Sequence, residues 1–343
     1  MHSIQLRRSV AQLFAVLALA CAFPVTSDAA DPQLKIGSLV PKNSLYHRQL
    51  MEVGEAWKKS QPGSSRFNVF TDGSQGGEAE MVRRMRIGQL QAALLSVVGL
   101  REIEPSIAAL QNLPLAFRSW EELDYVREKM RPGMEKKFLD KGYVVLAWGD
   151  AGWVRFFSKQ AAFSPDDYKK MKFFAWGAEA EQQEIMKSIG YTPVPLEPTD
   201  ILPSIQTGMI NVVPSTPYFA LATQIYNTAP HMLEINWAPI VGAFVISKKS
   251  FDAMSPETQA VLKASADKAG SLIRIQARKE VEEAVDAMKK RGLQVNKPNA
   301  EQMKEWRAFT ETLYPRIRGK MVPAETFDEV FAHLKTYRAS KTP

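Results

Sequence analysis

The sequence predicts an α/β protein of two lobes that are crossed by one long helix. Its 343 residues exceed what a single hydrophobic core usually organises, so two lobes are expected. Short apolar segments alternate with helical patterns in two successive blocks, which predicts βαβ units and mainly parallel sheets. An amphipathic pattern of about 36 residues in the C-terminal third predicts a helix longer than either lobe.

The first block alternates strand and helix in regular order. Its predicted strands are residues 34–40, 67–70 and 90–97, and its predicted helices are residues 45–59 and 78–87. Leu50, Val53 and Trp57 recur on one face of the first helix. Glu78 suits the positive end of the second helix dipole, and Gly88 stands where a C-terminal cap belongs. These elements predict the first α/β lobe.

A second block repeats this scheme from residue 143. Its predicted strands are residues 143–148, 154–158, 172–176, 210–213 and 240–247, and its predicted helices are residues 179–189 and 199–206. Amphipathic patterns near the C-terminus, at residues 300–314 and 325–338, predict helices that cover the second lobe. We expect lobe I to comprise residues 31–151 and 239–270, and lobe II to comprise residues 152–238 and 271–343.

The predicted long helix begins after Ser255, a typical N-cap, and ends at Gly292, a typical terminator. Pro256 suits its first position. At 1.5 Å per residue the helix would span about 54 Å and cross both lobes as a spine. The alternative is two helices broken near Gly270, although a glycine inside a helix costs only about 1 kcal/mol.

Residues 1–30 have the layout of a secretory signal peptide. Arg7 and Arg8 precede an almost wholly apolar run, and Ser27 and Ala29 provide the small residues of a cleavage site. The apolar run is too short to span a bilayer comfortably, so we favour a cleaved leader over a retained anchor. We therefore expect export to the periplasm.

The only cysteine, Cys21, lies inside this leader. Cleavage near Ala29 would leave a chain without thiols, which excludes disulfides, thiol chemistry and thiolate metal sites. Residues 19–21 resemble a lipoprotein cleavage box, but Ala18 stands where a larger aliphatic residue is usual. We expect no lipid anchor, and a lipoprotein is the alternative.

The sequence contains no recognisable catalytic or metal-binding constellation. The histidines outside the leader, His47, His231 and His333, do not stand at ligand spacing with one another or with a carboxylate pair. No nucleophile elbow, phosphate-binding loop or dinucleotide fingerprint is present. Glu179 and Glu181 fall in the first turn of a predicted helix, where the dipole favours acids without any acid–base role. We expect a protein that is not an enzyme and needs no cofactor or metal.

The formal net charge of +7 does not indicate a nucleic-acid partner. The basic residues are interleaved with acids, as they are between residues 280 and 291. This pattern is typical of solvated helix faces rather than of a binding stripe.

Four tryptophans stand at or beside the ends of predicted strands: Trp148, Trp153, Trp176 and Trp237. Ligands of α/β proteins bind at the carboxyl ends of strands, and ligands of two-lobed proteins bind in the cleft between the lobes. Aromatic side chains there can cover a ring or an apolar ligand, with ordinary core packing as the alternative for each. We assign Trp153 and Trp176 to the cleft.

Four motifs follow one another along the chain. They are GSQGGEAEMVRRMRIGQL at residues 73–90, LPLAFRSWEE at residues 113–122, SPDDYKKMK at residues 164–172 and ILPSIQTG at residues 201–208. In this order they resemble signatures of the substrate-binding proteins of TRAP transporters, the DctP family. The resemblance extends from about residue 34 to residue 288, which is most of the chain outside the leader.

The resemblance implies a two-lobed, periplasmic-binding-protein-like fold of type II, with a cleft that closes over a small-molecule ligand. It also implies two membrane partners, a small four-helix subunit and a large permease, which an ion gradient drives. We expect a monomer. Two alternatives remain open: an enzyme built on the same scaffold, and a periplasmic sensor that signals to a receptor.

The chain departs from the family where a carboxylate would bind. Phe174 stands where the resemblance implies an arginine that pairs with a ligand carboxylate. A second family arginine would fall at Val154, whereas Arg155 is one residue later, and one step along a strand turns a side chain to the other face. These departures predict a neutral, aromatic or amphipathic ligand. The alternative is an organic acid held by Arg155 or by backbone N–H groups.

In such a fold, strand ends and the loops beside them converge on the cleft. The predicted ligand-binding residues are therefore taken from these positions in both lobes. They are Tyr46, His47, Gln75, Ser96, Val98, Trp153, Arg155, Phe174, Trp176, Ser215, Thr216, Tyr218 and Trp237.

Overall fold

The computed structural model describes residues 32–61 and 63–341, so the predicted leader and Cys21 lie outside the described residues. The strands are β1 (Gln33–Ser38), β2 (Arg66–Phe70), β3 (Ala92–Ser96), β4 (Tyr143–Trp153), β5 (Arg155–Ser158), β6 (Lys172–Trp176), β7 (Thr192–Leu196), β8 (Val212–Ser215), β9 (His231–Leu233), β10 (Pro239–Ser247) and β11 (Gln294–Asn296). In the described part of the chain, no helix is long and apolar enough to cross a membrane.

Helices connect and cover these strands. They are α1 (Leu45–Ser60), α2 (Glu78–Arg86), α3 (Val97–Leu100), α4 (Trp120–Asp140), α5 (Pro165–Lys169), α6 (Ala180–Ser188), α7 (Ile201–Thr207), α8 (Pro217–Ala222), α9 (Lys248–Asp252), α10 (Pro256–Lys289), α11 (Ala300–Ile317) and α12 (Ala324–Lys341). Short 3₁₀ helices lie at Pro105–Leu110, Pro198–Asp200 and Ile225–Asn227.

Two sheets define the two lobes. The sheet of lobe I has the strand order β2-β1-β3-β10-β4, and the sheet of lobe II has the order β11-β9-β5-β8-β6-β7. Each sheet has a hydrophobic core on both faces, because neighbouring residues of a strand point to opposite sides. Phe173 and Phe174 of β6, for example, belong to different cores.

Both sheets are mainly parallel, as expected, and each contains one antiparallel strand. In lobe I, β10 runs antiparallel to both β3 and β4, and in lobe II, β5 runs antiparallel to β8 and β9. The cause is the connection between the lobes. The chain leaves lobe I along β4 and continues into β5, and β10 returns beside β4 in the opposite direction.

The two crossing segments are joined by backbone hydrogen bonds. The Val154 N–H donates to the Ala238 carbonyl at 2.8 Å, and the Trp237 N–H donates to the Val154 carbonyl at 3.0 Å. Gly152, just before the crossing, has a φ of +106°, and a Cβ there would lie 3.0 Å from the Val281 side chain. A residue without a side chain is therefore required where the crossing passes the long helix.

The long helix α10 is continuous over 34 residues, as predicted. At 1.5 Å per residue it is about 51 Å long. Its Leu262 and Ala266 pack in a core of lobe I, and its Val285 and Met288 pack in a core of lobe II. Gly270 does not break it. This glycine lets the helix approach β4, since an added Cβ would lie 2.7 Å from the Trp148 carbonyl oxygen.

The C-terminal helices do not both cover lobe II, which corrects our expectation. The indole N–H of Trp306 in α11 donates to the Phe163 carbonyl at 2.8 Å and anchors that helix on lobe II. Helix α12 instead packs on α4 of lobe I. Arg338 of α12 forms an ion pair with Glu122 at 2.8 Å, and Val330 and Leu334 complete a core of lobe I. Apolar residues of α12 thus cover one face of α4, and the sequence did not reveal this pairing.

Helix α4 and strand β7 were not predicted from the sequence. Strand β7 carries Pro193 and Pro195, which cannot donate to a neighbouring strand. The strand is tolerated because it lies at the edge of the lobe II sheet, where one side needs no hydrogen-bond partner.

The close approach of α10 to β4 can be tested at Gly270. Gly270→Ala should lower the free energy of unfolding by about 1–3 kcal/mol, because the methyl group overpacks the contact with the Trp148 carbonyl. Gly133→Ala in α4 is the matched control, since a Cβ there meets nothing within 4 Å and alanine favours a helix. Thermal and urea unfolding of both variants would measure the difference. A Gly270→Ala protein as stable as Gly133→Ala would contradict this packing.

Candidate ligand-binding cleft

A cavity of about 630 Å³ lies between the two lobes. Its walls come from the loops after β1 and β3 in lobe I and from the ends of β6 and β8 in lobe II. The volume lies within the range of ordinary small-molecule sites. Apolar and aromatic side chains make up most of the lining, which includes Leu94, Val98, Phe174, Trp176 and Ile185.

Nine of the thirteen residues that the sequence placed at the ligand line this cavity. They are Tyr46, Ser96, Val98, Phe174, Trp176, Ser215, Thr216, Tyr218 and Trp237. They come from both lobes, so the structure brings most of the predicted set together. Their contact with a ligand remains a prediction.

Tyr46 of α1 and Tyr218 of α8 face each other across the cleft. Their ring centroids are 6.0 Å apart, with an interplanar angle of 61°. The Tyr46 hydroxyl donates to the Asp150 carbonyl at 3.2 Å. Burial raises the pKa of both phenols, and Glu280 raises it further, so both hydroxyls remain protonated hydrogen-bond donors.

Phe174 and Trp176 form the aromatic wall of lobe II. Their ring centroids lie 5.2 Å apart in an edge-to-face arrangement at 66°. Phe174 is buried, and its ring belongs to the core of lobe II as well as to the lining of the cavity. The position at which the resemblance implies an arginine is therefore filled by a packed aromatic ring.

Trp153 does not face the cleft, which corrects its assignment. It packs against Trp120 with ring centroids 4.7 Å apart, and both line a separate depression of about 260 Å³. The next residue, Val154, lines the cleft instead. Because side chains alternate along an extended segment, Trp153 and Val154 point to opposite sides.

Arg155 also points away from the cleft, in contrast to its place in the predicted set. Its neighbours Val154 and Phe156 line the cleft, and Arg155 lines the depression beside Trp153. Arg155 is 5 % exposed, and its guanidinium contacts Glu282 of α10 at 3.3 Å. The pairing of β5 with β8 is regular at Arg155, so no bulge there turns its side chain toward the cleft.

His47 and Gln75 take local structural roles outside the cavity lining. The Nδ1 atom of His47 accepts a hydrogen bond from the Asn43 N–H at 3.1 Å, beside the start of α1. The Gln75 side-chain oxygen accepts from Arg84 at 3.2 Å. Tyr46 and His47 are adjacent on a helix, where successive side chains are about 100° apart, so only one of them faces the cleft.

The charged side chains that line the cavity are all acidic. They are Asp72, Glu78, Asp150, Glu179 and Glu197, and none of the described lining residues is Lys, Arg or His. Sequence reasoning gave Glu179 only a structural role, because an acid at a helix start has an ordinary explanation in the helix dipole. It singled out none of the other four as ligand-binding, since they stand far apart along the chain. In the part of the chain that the structure describes, no group of three His, Cys, Asp or Glu residues could hold a metal ion.

Glu78, the first residue of α2, is bound by neutral donors. It accepts hydrogen bonds from the Ser96 N–H at 2.9 Å, the Ser96 hydroxyl at 2.7 Å and the Gly99 N–H at 2.8 Å. These bonds tie α2 to the end of β3. Burial outweighs them and raises the pKa of the Glu78 carboxyl.

Glu179 precedes α6 in lobe II, and its side chain is 2 % exposed. Arg101 of lobe I lies 3.4 Å from Glu179 and 3.1 Å from Glu181, so one guanidinium bridges the lobes through two carboxylates. Burial raises the pKa of Glu179, and Arg101 only partly offsets that effect. The contact joins the two lobes directly.

Asp150 lies where the chain crosses between the lobes, with its side chain fully buried. Its carboxylate pairs with Arg127 of α4 at 2.5 Å and with Arg278 of α10 at 2.6 Å. Asp124 contacts the same two arginines. The charge of Asp150 is thus neutralised within the fold, although the residue lines the cavity.

The sequence matches a known protein family over most of its length. Residues 36–320 match the model of the DctP family, described as bacterial extracellular solute-binding protein, family 7. The chain belongs to this family. The prediction from the four motifs is therefore confirmed.

Individual relatives agree with this assignment. The chain is 24 % identical over 306 residues to the 2,3-diketo-L-gulonate-binding periplasmic protein of Escherichia coli, covering 87 % of this chain and 89 % of that protein. Among solved structures, a TRAP periplasmic solute-binding protein of Shewanella oneidensis with bound succinate superposes with a TM-score of 0.81 at 16 % identity, covering 89 % of this chain and all of that one.

A further TRAP solute-binding protein from Xanthobacter autotrophicus, with bound β-D-galacturonate, has a TM-score of 0.79 at 17 % identity. It covers 88 % of this chain and 99 % of that one. These structures confirm the two-lobed α/β fold predicted for this DctP protein.

The ion network at the crossing gives a stability prediction. Asp150→Asn should lower the free energy of unfolding by about 3 kcal/mol, because it leaves the Arg127 guanidinium buried with less compensating charge. The matched control is Asp140→Asn, which removes an exposed ion pair with Lys136 at the end of α4, the helix that carries Arg127. This variant should leave the melting temperature unchanged. Chemical unfolding of both variants is the measurement. Equal stability of the two would show that the network does not support the crossing.

Proposed function

We propose that this protein is the periplasmic solute-binding subunit of a TRAP-type transporter and that it captures a small neutral, aromatic or amphipathic ligand. The observation that carries the proposal is the lining of the cleft. Phe174 occupies the position of the implied arginine, and all charged lining residues in the described chain are acidic. The family supports the class of function, and the lining supports the class of ligand.

A carboxylate ligand would fit this cleft poorly. The Escherichia coli relative binds 2,3-diketo-L-gulonate, and the Shewanella and Xanthobacter structures hold succinate and galacturonate, all of which are acids. Burying a carboxylate is costly unless a cation or several donors compensate it. The cleft instead presents Glu78 and Glu179, which would repel such a ligand. Arg155, the alternative partner, lies on the other side of the crossing.

Backbone N–H groups are a weak alternative for holding an acid. The glycine-rich loop before α2 lines the cleft, and the start of α2 would suit an anion. However, a carboxylate oxygen of Glu197 from lobe II lies 2.6 Å from the position that a Gly77 Cβ would take. The chain therefore brings its own negative charge to this helix start when the lobes are closed.

Capture depends on contacts from both lobes at once. Tyr46, Ser96 and Val98 come from lobe I, and Trp176 and Tyr218 come from lobe II. A ligand that touches both sets stabilises the closed form, because these contacts form together only on closure. The closed protein would then deliver its ligand to the small four-helix subunit and the permease. A sensor role would use the same closure, and adjacent genes for a kinase instead of a permease would indicate it.

A thermal-shift panel tests the ligand class. Neutral aromatic alcohols, amides and amphipathic compounds should raise the melting temperature, and C4 to C6 organic acids should not. A compound present at a hundred times its dissociation constant adds about 2.7 kcal/mol of stability, which is easily measured. Stabilisation by acids alone would overturn the proposal, and turnover of a ligand would indicate an enzyme.

Two tryptophans provide a matched test of where the ligand binds. Trp176→Ala should weaken binding of the most stabilising panel compound at least about tenfold, because it removes the aromatic wall of the cleft. Trp153→Ala should leave affinity unchanged, because Trp153 packs against Trp120 outside the cleft. Isothermal titration well below the melting temperature measures both. The opposite ranking of the two variants would refute the geometry.

A further inference from the structure

We propose that the ligand carries a cationic amine head, which binds between Glu78 of lobe I and Glu179 of lobe II while its apolar body lies against the aromatic wall. This inference rests on the proposed function, since it names the polar group of an amphipathic ligand in the same cleft.

The two carboxylates line one cavity from opposite lobes. Glu78 starts α2 in lobe I, Glu179 precedes α6 in lobe II, and both line the same cavity. Both side chains are buried in the wall of this cavity. Burial raises the pKa of the Glu78 carboxyl, and the charge of Glu179 adds to that effect. Closing the lobes thus brings two desolvated negative charges together, which opposes closure.

The fold supplies too little positive charge to compensate them. The donors to Glu78 are Ser96 and Gly99, which are uncharged. The cation at Glu179 is Arg101, which also contacts Glu181. One guanidinium therefore pairs with two carboxylates, and none of the ion pairs between described residues includes Glu78. A cationic group on the ligand would compensate the negative charge that remains on these carboxylates.

A buried amide at the same corner also points to a ligand. Asn112 lines the cavity and is 6 % exposed. Its amide nitrogen lies near the Glu179 carboxylate, but among the described residues it completes no hydrogen bond of normal geometry. A buried donor left in this state loses free energy unless a further acceptor arrives. An amine ligand with a neighbouring hydroxyl or carbonyl oxygen would supply that acceptor.

The wall beside Glu179 suits the rest of such a ligand. The Glu179 N–H donates to the Trp176 carbonyl at 3.1 Å, so the carboxylate and the indole belong to one turn of chain. An ammonium group near an indole face gains cation–π attraction in addition to its ion pair. Phe174 and Ile185 extend the apolar surface away from the charged corner.

The charge of the ligand then decides whether closure is favourable. A neutral head leaves the repulsion between Glu78 and Glu179 in place, and an anionic head adds a third negative charge. A cationic head reduces the repulsion only when both lobes surround it. Because a ligand shifts a conformational equilibrium by its differential contacts with the two states, the amine is the form that best drives closure.

Matched triplets of compounds test this inference. Each triplet has one apolar body and three heads, as in tryptamine, tryptophol and indole-3-acetate, with further triplets on phenyl, cyclohexyl and octyl bodies. Titration calorimetry at neutral pH should show, for at least one body, an amine that binds at least about tenfold more tightly than its alcohol. The carboxylate of that triplet should bind more weakly than the alcohol.

The outcomes separate this inference from the proposed function. Tightest binding by an alcohol overturns the amine head and leaves the neutral-ligand proposal standing. Tightest binding by a carboxylate overturns both. The absence of any amine preference across all bodies overturns the amine head alone.

A pair of variants assigns the preference to the cleft. Glu179→Gln should reduce the ratio of amine to alcohol affinity at least about tenfold, because it removes one of the two facing charges. Glu181→Gln, which removes the other Arg101 partner on an exposed side chain outside the cavity, should leave that ratio unchanged. Glu78→Gln provides a second test if Glu179→Gln does not fold. A ratio that survives both cleft substitutions would refute the site.

Discussion

The ion network of Asp150 stabilises the point at which the chain crosses between the two lobes. Its buried carboxylate joins β4 to α4 through Arg127 and to the long helix through Arg278. The Asp150 carbonyl also accepts the hydroxyl of Tyr46, which lines the cleft. One residue therefore connects the crossing strand, the spine and the ligand side. Because breaking a buried ion pair is costly, this network should hold the three elements together firmly.

The cleft built on this junction combines two properties that organic-acid receptors do not need. Its walls are aromatic and apolar, with Phe174 and Trp176 in edge-to-face contact. Its charged lining in the described chain is acidic. Membership of the DctP family sets the scaffold, whereas the class of ligand depends on the side chains that line the cleft.

Local pattern was sufficient for most elements. The 34-residue helix and the alternation of strands and helices followed from periodicity and capping residues. Tyr46, Phe174 and Trp176, which were chosen from strand ends and from the resemblance, line the cavity, and their contact with a ligand stays a prediction. The predictions for Trp153 and Arg155 were wrong in direction. Along a strand, neighbouring side chains point to opposite faces, so an error of one residue reverses the predicted direction. At the crossing, it is Val154 that faces the cleft.

The sequence by itself determined the family, the continuous spine and the phenylalanine at position 174, where the resemblance implies an arginine, because each depends on residues adjacent along the chain. Only the tertiary structure decided the reversed directions of β5 and β10, the attachment of α12 to lobe I and the placing of Glu78 and Glu179 in one cavity. Those features join residues far apart in sequence and depend on which surfaces bury one another. A carboxylate at a helix start has the same local pattern whether it faces solvent or another buried charge, and its environment exists only after the lobes pack.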